Sequence, residues 1–379
     1  MTTARTFVDV HILQSVPPSN INRDDTGSPK TAVYGGVRRA RVSSQAWKRA
    51  TRLDFNSRLD ASELGVRTKR VVEIVAAEVA ALDPSLAETA NEVAEAVLAT
   101  GGIKLAAPRK SADATKESTY LLFLSTRQVR KLADLGVAAA HAGDLKAVDK
   151  KAVTAILKSD NSIDLALFGR MVADVSDLNV DAAAQVAHAI STHAVDTEFD
   201  YFTAVDDHKA ADAEEDAGAG MIGTVEFSSS TLYRYATLDV AQLHENLGSA
   251  AATRTAVETF VESFVRSMPT GKQNTFANNT LPDAVVVSVR SDQPVSFVGA
   301  FEDAVVSAAG AGRVTESISR LVTYATDVEA AYGTVAVATF TLGVGARAAA
   351  LDTLAARVRL GDVVDGVGGI VAGRLPEQA

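Results

Sequence analysis

Strand-like and helix-like hydrophobic patterns alternate along all 379 residues, and this interleaving limits the possible folds more than any other feature. Residues 6–13 alternate as a strand does, with Val8, Val10 and Ile12 on one face. Residues 66–159 are Ala-rich and amphipathic, which is typical of packed helices, and strands and helices are interleaved again in the remaining sequence. The pattern predicts an α+β fold with a helical insertion.

Capping and turn residues indicate several element boundaries. Ser125 and Gln128 have the spacing of a capping box, and Asp83 precedes Pro84 as an N-cap precedes a proline in the first helical turn. The segment 206–223 contains six acidic residues among alanines and glycines, so we expect a mobile loop between two strands. Further elements are expected as a strand or loop at 162–171, helices at 181–194, 239–247, 254–267 and 314–331, and strands at 198–205, 221–235, 284–289 and 335–342.

Composition excludes several classes of protein. The chain has no cysteine, which removes disulfides, zinc knuckles and thiolate catalysis and favours a reducing, cytoplasmic compartment. The N-terminal residues lack the apolar core of a secretory signal. The longest uncharged run, residues 330–346, has 17 residues, which is short for a membrane-spanning helix, and is rich in strand-forming side chains. We therefore expect no membrane partner.

The net charge of −10 disfavours a nucleic-acid partner, but the charges are unevenly distributed. Residues 20–52 carry eight basic and two acidic side chains, so this segment is +6 and the rest of the chain is −16. A run of basic residues is usually a solvated face, and the lysines between 146 and 158 fit that interpretation as well as a functional one. We call residues 20–52 the basic segment.

The basic segment combines a loop, a helix start and clustered cations. A loop with proline and glycine leads to a helix that Ser43 or Ser44 would cap, with Lys48 and Arg52 four residues apart on one face. Cations, hydroxyls and helix amides then meet at one helix N-terminus. Such an arrangement holds a polyanion by its backbone.

Catalytic motifs are sparse. Residues 218–223 match the glycine pattern of a dinucleotide site by letter, but a strand rather than a helix is expected after them. His188 and His193 are five residues apart, off a common helix face, which favours structural roles. Asp24 and Asp25 could hold a metal near a phosphate, or form a local ion pair and loop cap. We expect no cofactor.

The sequence resembles the CasC family, the repeated backbone subunits of the type I-E CRISPR surveillance complex, Cascade. The resemblance rests first on residues 22–25 (NRDD) and 35–49 (GGVRRARVSSQAWKR). Further matches follow in the family order: 169–171 (GRM), 188–193 (HAISTH), 200–207 (DYFTAVDD), 226–229 (EFSS), 233–236 (YRYA) and 245–248 (ENLG). Together the motifs cover most of the chain and are far more specific than any one of them.

The resemblance implies a modified RRM-like (ferredoxin-like) palm in residues 1–60 and 181–379. It also implies a helical finger insertion in residues 61–180 and a long β-hairpin thumb at about 196–235. The aromatic signature with which an ordinary RRM stacks bases is missing. What the resemblance implies instead is a non-catalytic protein whose copies grip the backbone of a CRISPR RNA (crRNA), beside other Cascade subunits, and leave its bases free to pair with target DNA.

An enzymatic alternative remains open at this stage. It is a backbone subunit that itself cleaves target RNA, as in the related type III complexes, with a metal-bound aspartate at Asp24 or Asp25. A small-molecule binding protein has no motif to support it.

The resemblance also assigns site residues. It implies that guide phosphates and riboses are contacted by Arg23, Lys30, Ser43, Gln45, Lys48, Arg49 and Arg52, and the basic segment adds Arg38, Arg39 and Arg41 as RNA-binding candidates. Phe202 and Thr203 would press into the nucleic acid, with Met171 and Ile222 beside the displaced nucleotide, although Phe202 could instead be a core aromatic. Lys150 and Lys151 would contact duplex DNA, and Thr154 stands where the family has its next lysine.

Overall fold

The computed structural model describes residues 5–108, 114–172, 175–204, 221–307 and 312–376. Its strands are β1 (Phe7–Ser19), β2 (Thr31–Tyr34), β3 (Val37–Val42), β4 (Gly65–Thr68), β5 (Leu105–Ala106), β6 (Glu117–Ser118), β7 (Leu122–Ser125), β8 (Ala184–Val186), β9 (Ala189–Ser191), β10 (Glu198–Ala204), β11 (Met221–Asp239), β12 (Ala284–Arg290) and β13 (Ala338–Gly343). Its α-helices are α1 (Ser44–Asp54), α2 (Val71–Leu82), α3 (Ala90–Thr100), α4 (Thr126–His141), α5 (Lys150–Lys158), α6 (Ile163–Phe168), α7 (Val240–Leu247), α8 (Ala250–Arg266), α9 (Gln273–Phe276), α10 (Arg313–Tyr332) and α11 (Leu360–Ala372). The α+β class is confirmed.

A large antiparallel sheet forms the centre of the fold. Its strand order is β13-β12-β1-β11-β9-β3-β2, and β8 and β10 also pair with β11. In β1, Val10 lies opposite Ala236 of β11 on one side and Val287 of β12 on the other. Because the residues from Phe7 to Gln14 are all buried, this strand contributes to a core on both faces of the sheet.

The alternation in β1 sorts its side chains between two cores. Val10 and its same-face neighbours pack with apolar residues of α1, α8 and α11, including Trp47 and Phe260. Leu13 packs on the other side with residues of α10 such as Ile318. The helix that carries the basic segment therefore rests on one face of the central strands.

A separate hydrophobic core holds the helices between α2 and α5. Its buried members run from Val71 to Leu178, and most of them come from α2, α3, α4, α5 and the strand β7. The capping box at the start of α4 is present in both directions, between Ser125 and Gln128, as expected. The exact domain boundaries at 60 and 180 stay predictions.

Two expected elements are wrong. Residues 162–171, expected as a strand or loop, contain α6, whose Ile163, Ala166 and Leu167 belong to the core that also contains Trp47. Residues 181–194, expected as a helix, form β8 and β9, which pair with β11. Short apolar runs carry too little periodicity to separate helix from strand, and here contacts with distant segments decide the outcome.

The strands expected at 198–205 and 221–235 form an antiparallel pair. β10 aligns with the first part of β11 from Glu198 opposite Phe227 to Ala204 opposite Met221. β11 continues as a long strand into the central sheet, where it pairs with β1. We call the β10–β11 pair the arm. Most of the loop expected to be mobile, residues 206–220, lies outside the described residues.

Candidate nucleic-acid interface

A tight turn between β2 and β3 carries the first cations of the basic segment. Gly35 and Gly36 have φ angles of +57° and +76°, which suits the two-residue connection between Tyr34 and Val37. A Cβ atom on Gly35 would lie 1.6 Å from the carbonyl oxygen of Glu302. Only glycine fits there, so the turn is held against the segment that contains Glu302.

Arg39 is fully buried, and its guanidinium is used inside the protein. Nη1 donates to the carbonyl of Ser191 at 3.1 Å, and Nη2 donates to those of Phe301 and Glu302 at 2.9 and 3.0 Å. Arg38, its exposed neighbour, lies on the opposite face of β3. The assignment of Arg39 as an RNA contact is therefore corrected: Arg39 ties the hairpin to the body of the protein.

Lys30 and Arg41 lie side by side where the hairpin meets α1. The amide of Arg41 donates to the carbonyl of Lys30 at 2.8 Å. The amide of Ser44 in the first turn of α1 donates to Nδ1 of His188 at 3.2 Å. Partial burial, followed by the charges of Arg41 and Lys30, lowers the pKa of His188, so its ring is neutral near pH 7. His188, which the sequence interpretation left as structural, is thus part of this surface.

The N-terminus of α1 offers polar groups without a competing carboxylate. Ser43 is the N-cap residue; its amide donates to Oδ1 of Asn22 at 2.8 Å, while its hydroxyl makes no capping bond. The first turn contains no acidic residue. Gln45 in that turn and Arg23 in the preceding loop are both exposed. The positive end of the helix dipole thus adds to the nearby cations.

Along α1 the charged residues surround a narrow buried face. Trp47 and Thr51 are buried, whereas Arg49 is exposed. Lys48 is half-buried, and this burial lowers its pKa. Arg52 in the last turn is half-buried too. The three cations occupy the outer part of the helix.

Trp47 is packed against a buried cation beneath α1. The Cζ atom of Arg234 lies 3.7 Å from the centre of a Trp47 ring, and Arg234 donates to Oε1 of Gln14 at 2.7 Å and to the carbonyl of Phe264. Burial lowers the pKa of Arg234 to about 9. Arg234 thus connects α1 to β11, β1 and α8, and fixes the helix that presents the cations.

The arm presents aromatic residues on both of its faces. Phe202 is 38% exposed and covers Gly223, where an added Cβ would lie 2.4 Å from the phenyl Cζ. Phe199 and Tyr201 lie on the opposite face with Thr203 and are 67% and 61% exposed. The sequence interpretation chose Phe202 and missed these two, whose alternation in a strand is the only signal for them.

The remaining apolar candidates, Met171 and Ile222, are far apart in sequence. Ile222 is aligned with Thr203 across the arm. Met171 is 82% exposed and directly follows Arg170, a buried arginine that donates to the carbonyl of Leu178 at 2.8 Å. The burial of Arg170 lowers its pKa to about 10. Met171 is therefore held outwards by a rigid neighbour.

The lysines of α5 form a separate basic surface. Lys150, Lys151 and Lys158 are exposed, and Lys158 lies 4.0 Å from Asp177. Thr154, on the same helix, donates its hydroxyl to the carbonyl of Lys150 at 2.8 Å and so adds no charge. α5 therefore presents Lys150, Lys151 and Lys158 but no cation at position 154.

Asp24 acts as a loop cap. Its Oδ1 accepts from the hydroxyl of Thr26 at 2.7 Å and from the amides of Thr26 and Ser28 at 3.0 Å each. These hydrogen bonds, that of the Thr26 hydroxyl foremost, lower the pKa of Asp24. Asp25 is exposed. Within the described ranges, no three His, Cys, Asp or Glu side chains come together as a metal-binding group.

Among the described residues, no helix could cross a membrane either. In the part of the chain that the structure describes, every helix is too short or too polar to span a bilayer.

Comparison with known proteins gives a consistent result. The family model of the CT1975-like proteins matches residues 8–366. A solved chain of a "CRISPR RNA-guided surveillance complex, pre-nicking" is 35% identical, with a TM-score of 0.82 over 96% of this chain and 100% of that one. A chain of a "CRISPR RNA-guided surveillance complex" is 30% identical, with a TM-score of 0.74 over 96% and 99%. No curated protein matches significantly.

Proposed function

Because this chain belongs to the CT1975-like (CasC) family of Cascade backbone proteins, we propose that several copies of it assemble along a crRNA. Each copy grips the sugar-phosphate backbone of the RNA and leaves most bases free to pair with target DNA. The protein has no catalytic step of its own in this proposal, and it works in the cytoplasm beside the other subunits of a type I-E complex.

One observation carries this proposal: a continuous cationic surface in a chain whose net charge is −10. The surface runs from the β2–β3 hairpin, through the N-terminus of α1, to the last turn of that helix. Among the described residues, Lys30, Arg41, Lys48 and Arg49 have no carboxylate within ion-pair distance. Cations held rigidly and left unneutralised on an acidic protein suit a polyanion such as RNA.

The roles of the residues follow from their positions. Arg23, Lys30 and Arg41 face the RNA from the loop and hairpin, and Arg38 reaches it from the opposite face of β3. Gln45 with the first-turn amides of α1 supplies hydrogen bonds to phosphate. Lys48 and Arg49 continue the path along the helix. Ser43 is the N-cap residue and so sets where α1 begins. Arg39 supports the hairpin from within.

The arm and the lysines of α5 have a different role in this proposal. Phe202 and Thr203, with Met171 and Ile222, displace a nucleotide from the regular stack. Lys150 and Lys151 meet the phosphates of duplex DNA without reading its sequence. The palm, finger and thumb boundaries and the RRM-like relationship of the sheet belong to the same proposal.

The test is to purify the protein from its native host and to sequence any RNA that accompanies it. We expect RNA derived from a CRISPR array, of many guide sequences. The purified assembly is then incubated with complementary RNA and Mg²⁺, beside a variant with Asp24→Asn and Asp25→Asn. Uncut RNA is the expected result; evenly spaced cuts that the double variant abolishes would establish the RNA-cleaving alternative instead.

A further inference from the structure

Arg67 is a cation that lies outside the basic segment. Arg67 is exposed in β4, where it aligns with Phe123 of β7. Cross-strand partners in an antiparallel pair project from the same face, with Cβ atoms about 5 Å apart. Phe123 is 5% exposed, so its ring lies under this face rather than on it.

Arg52 reaches the same face from α1. Its Cζ atom lies 5.4 Å from the centre of the Phe123 ring. Arg52 and Arg67 are fifteen residues apart in sequence, and the fold brings both to the phenyl group of Phe123. Burial lowers the pKa of Arg52, Asp164 raises it, and the charges of Arg67 and Arg49 lower it. Arg49, Arg52 and Arg67 are therefore neighbouring cations.

The carboxylate beneath these arginines is a weak counterion. Oδ2 of Asp164 lies 3.9 Å from Nη1 of Arg52, at the outer limit of an ion pair. Its Oδ1 accepts from the amide of Gly65 at 3.0 Å and from the hydroxyl of Ser162 at 2.7 Å. Burial raises the pKa of Asp164 and so disfavours the negative charge that would neutralise the arginines. Arg49, Arg52 and Arg67 retain excess positive charge.

Other surface arginines, unlike Arg67, form ion pairs with carboxylates. Each of the following has a carboxylate partner: Arg58 with Asp54 and Glu262, Arg70 with Glu73, Arg127 with Glu63, and Arg130 with Glu78. Within the described residues Arg67 has no such partner. Its guanidinium is left free to bind an anion from another molecule.

We propose that Arg49, Arg52 and Arg67 form a phosphate-binding cluster through which the guide RNA passes from α1 towards the helices α2 to α5. This inference rests on the proposed function and adds a site to it. The guanidinium fork pairs with phosphate oxygens in two parallel hydrogen bonds. Because the Phe123 ring is covered, the cluster holds the backbone and does not stack a base.

RNA is a better occupant than an acidic protein surface because the cluster continues the proposed RNA path. Arg49 shares α1 with Lys48 and Gln45, and the 11 residues of the helix span about 16 Å. A strand that follows the helix from its N-terminus therefore arrives at Arg52 in the last turn, where Arg67 is close enough to affect the pKa of Arg52.

The test compares Arg67→Gln with Arg130→Gln, a matched loss of one exposed arginine whose charge is already paired with Glu78. RNA affinity of the full chain is measured over a series of salt concentrations, with Lys48→Gln as a positive control. Arg67→Gln should weaken binding roughly three- to tenfold and reduce the salt slope by about 0.7, the value for one phosphate of a single strand. Arg130→Gln should change neither, and Arg67→Lys should restore part of the affinity.

The outcomes separate this inference from the proposed function. If Arg67→Gln matches Arg130→Gln while Lys48→Gln binds more weakly, the cluster is wrong and the proposed function stands. If the unchanged protein binds no RNA, both fail. If Arg67→Gln keeps its RNA affinity but loses another protein subunit, the partner is an acidic protein surface and the inference is overturned.

Discussion

At the residue scale, buried arginines act as internal supports. Arg39, Arg170 and Arg234 each donate to backbone carbonyls and are each buried. The sequence identifies the basic segment but not which of its cations point inwards. Arg38 and Arg39 lie on opposite faces of β3 because a strand alternates, and only the packing around the strand shows which face is covered.

A buried histidine makes stability depend on pH. His11 stacks on Phe297, with ring centres 4.2 Å apart, and Nδ1 lies 2.9 Å from the hydroxyl of Tyr233. Burial, followed by the charge of Arg290, lowers the pKa of His11 to about 3. The unfolded chain therefore binds the proton more readily between about pH 6.5 and pH 3. In that window the free energy of unfolding falls as pH falls.

We predict that His11→Phe, which keeps the stacking, makes stability less sensitive to acid. The slope of the unfolding free energy between pH 6 and 4.5 should decrease by up to about 1.4 kcal/mol per pH unit. Urea unfolding at several pH values measures it, with His244→Gln at a half-buried histidine of α7 as the control. Parallel pH curves for His11→Phe and the unchanged protein would contradict the assignment.

At the element scale, the turn between β2 and β3 offers a matched pair of glycines. Both have positive φ, but an added Cβ would meet the carbonyl of Glu302 only at Gly35 and nothing within 4 Å at Gly36. Gly36→Ala should cost about 1–2 kcal/mol from backbone strain alone. Gly35→Ala should cost more and should also weaken RNA binding, because the hairpin must move.

Unfolding in denaturant and RNA affinity of the two variants provide the measurement. Equal losses of stability at Gly35 and Gly36 would show that the close approach to Glu302 does not hold the hairpin.

The arm provides a second matched pair, Phe202 and Phe199. Phe202→Ala should reduce the stability of the RNA-free protein only slightly, because the side chain is 38% exposed, whereas a core aromatic would cost about 3–5 kcal/mol. In the assembled complex it should weaken target binding by about 1–3 kcal/mol. Phe199→Ala, on the opposite face, is the control. Weakened binding at Phe199 but not at Phe202 would assign the contact to the other face.

Local signals predicted some elements and missed others for a physical reason. The capping box at Ser125 is made by neighbouring residues, so the sequence contains all the information it needs. β9 exists because Ile190 pairs with Tyr233 on one side and Arg41 on the other. Partners so distant in the chain leave no periodicity in the segment itself.

For the whole molecule, the arrangement of charge matters more than its total. This acidic chain carries a cationic surface that begins at the hairpin and continues along α1, apart from the basic surface of α5. The sequence predicted most of that surface, since its cations fall within residues 20–52. It could not predict Arg67 or His188, which reach the surface only through the pairing of β4 with β7 and the contact of His188 with Ser44.

The central claim is that the protein holds RNA by its backbone. Chemical probing of the assembled protein–RNA complex tests it most directly, with one reagent that reports accessible base edges and one that reports accessible riboses and phosphates. We predict regular protection of the backbone, with most base edges reactive and the same pattern on RNAs of unrelated sequence. Protected base edges, or a pattern that changes with the RNA sequence, would contradict the account.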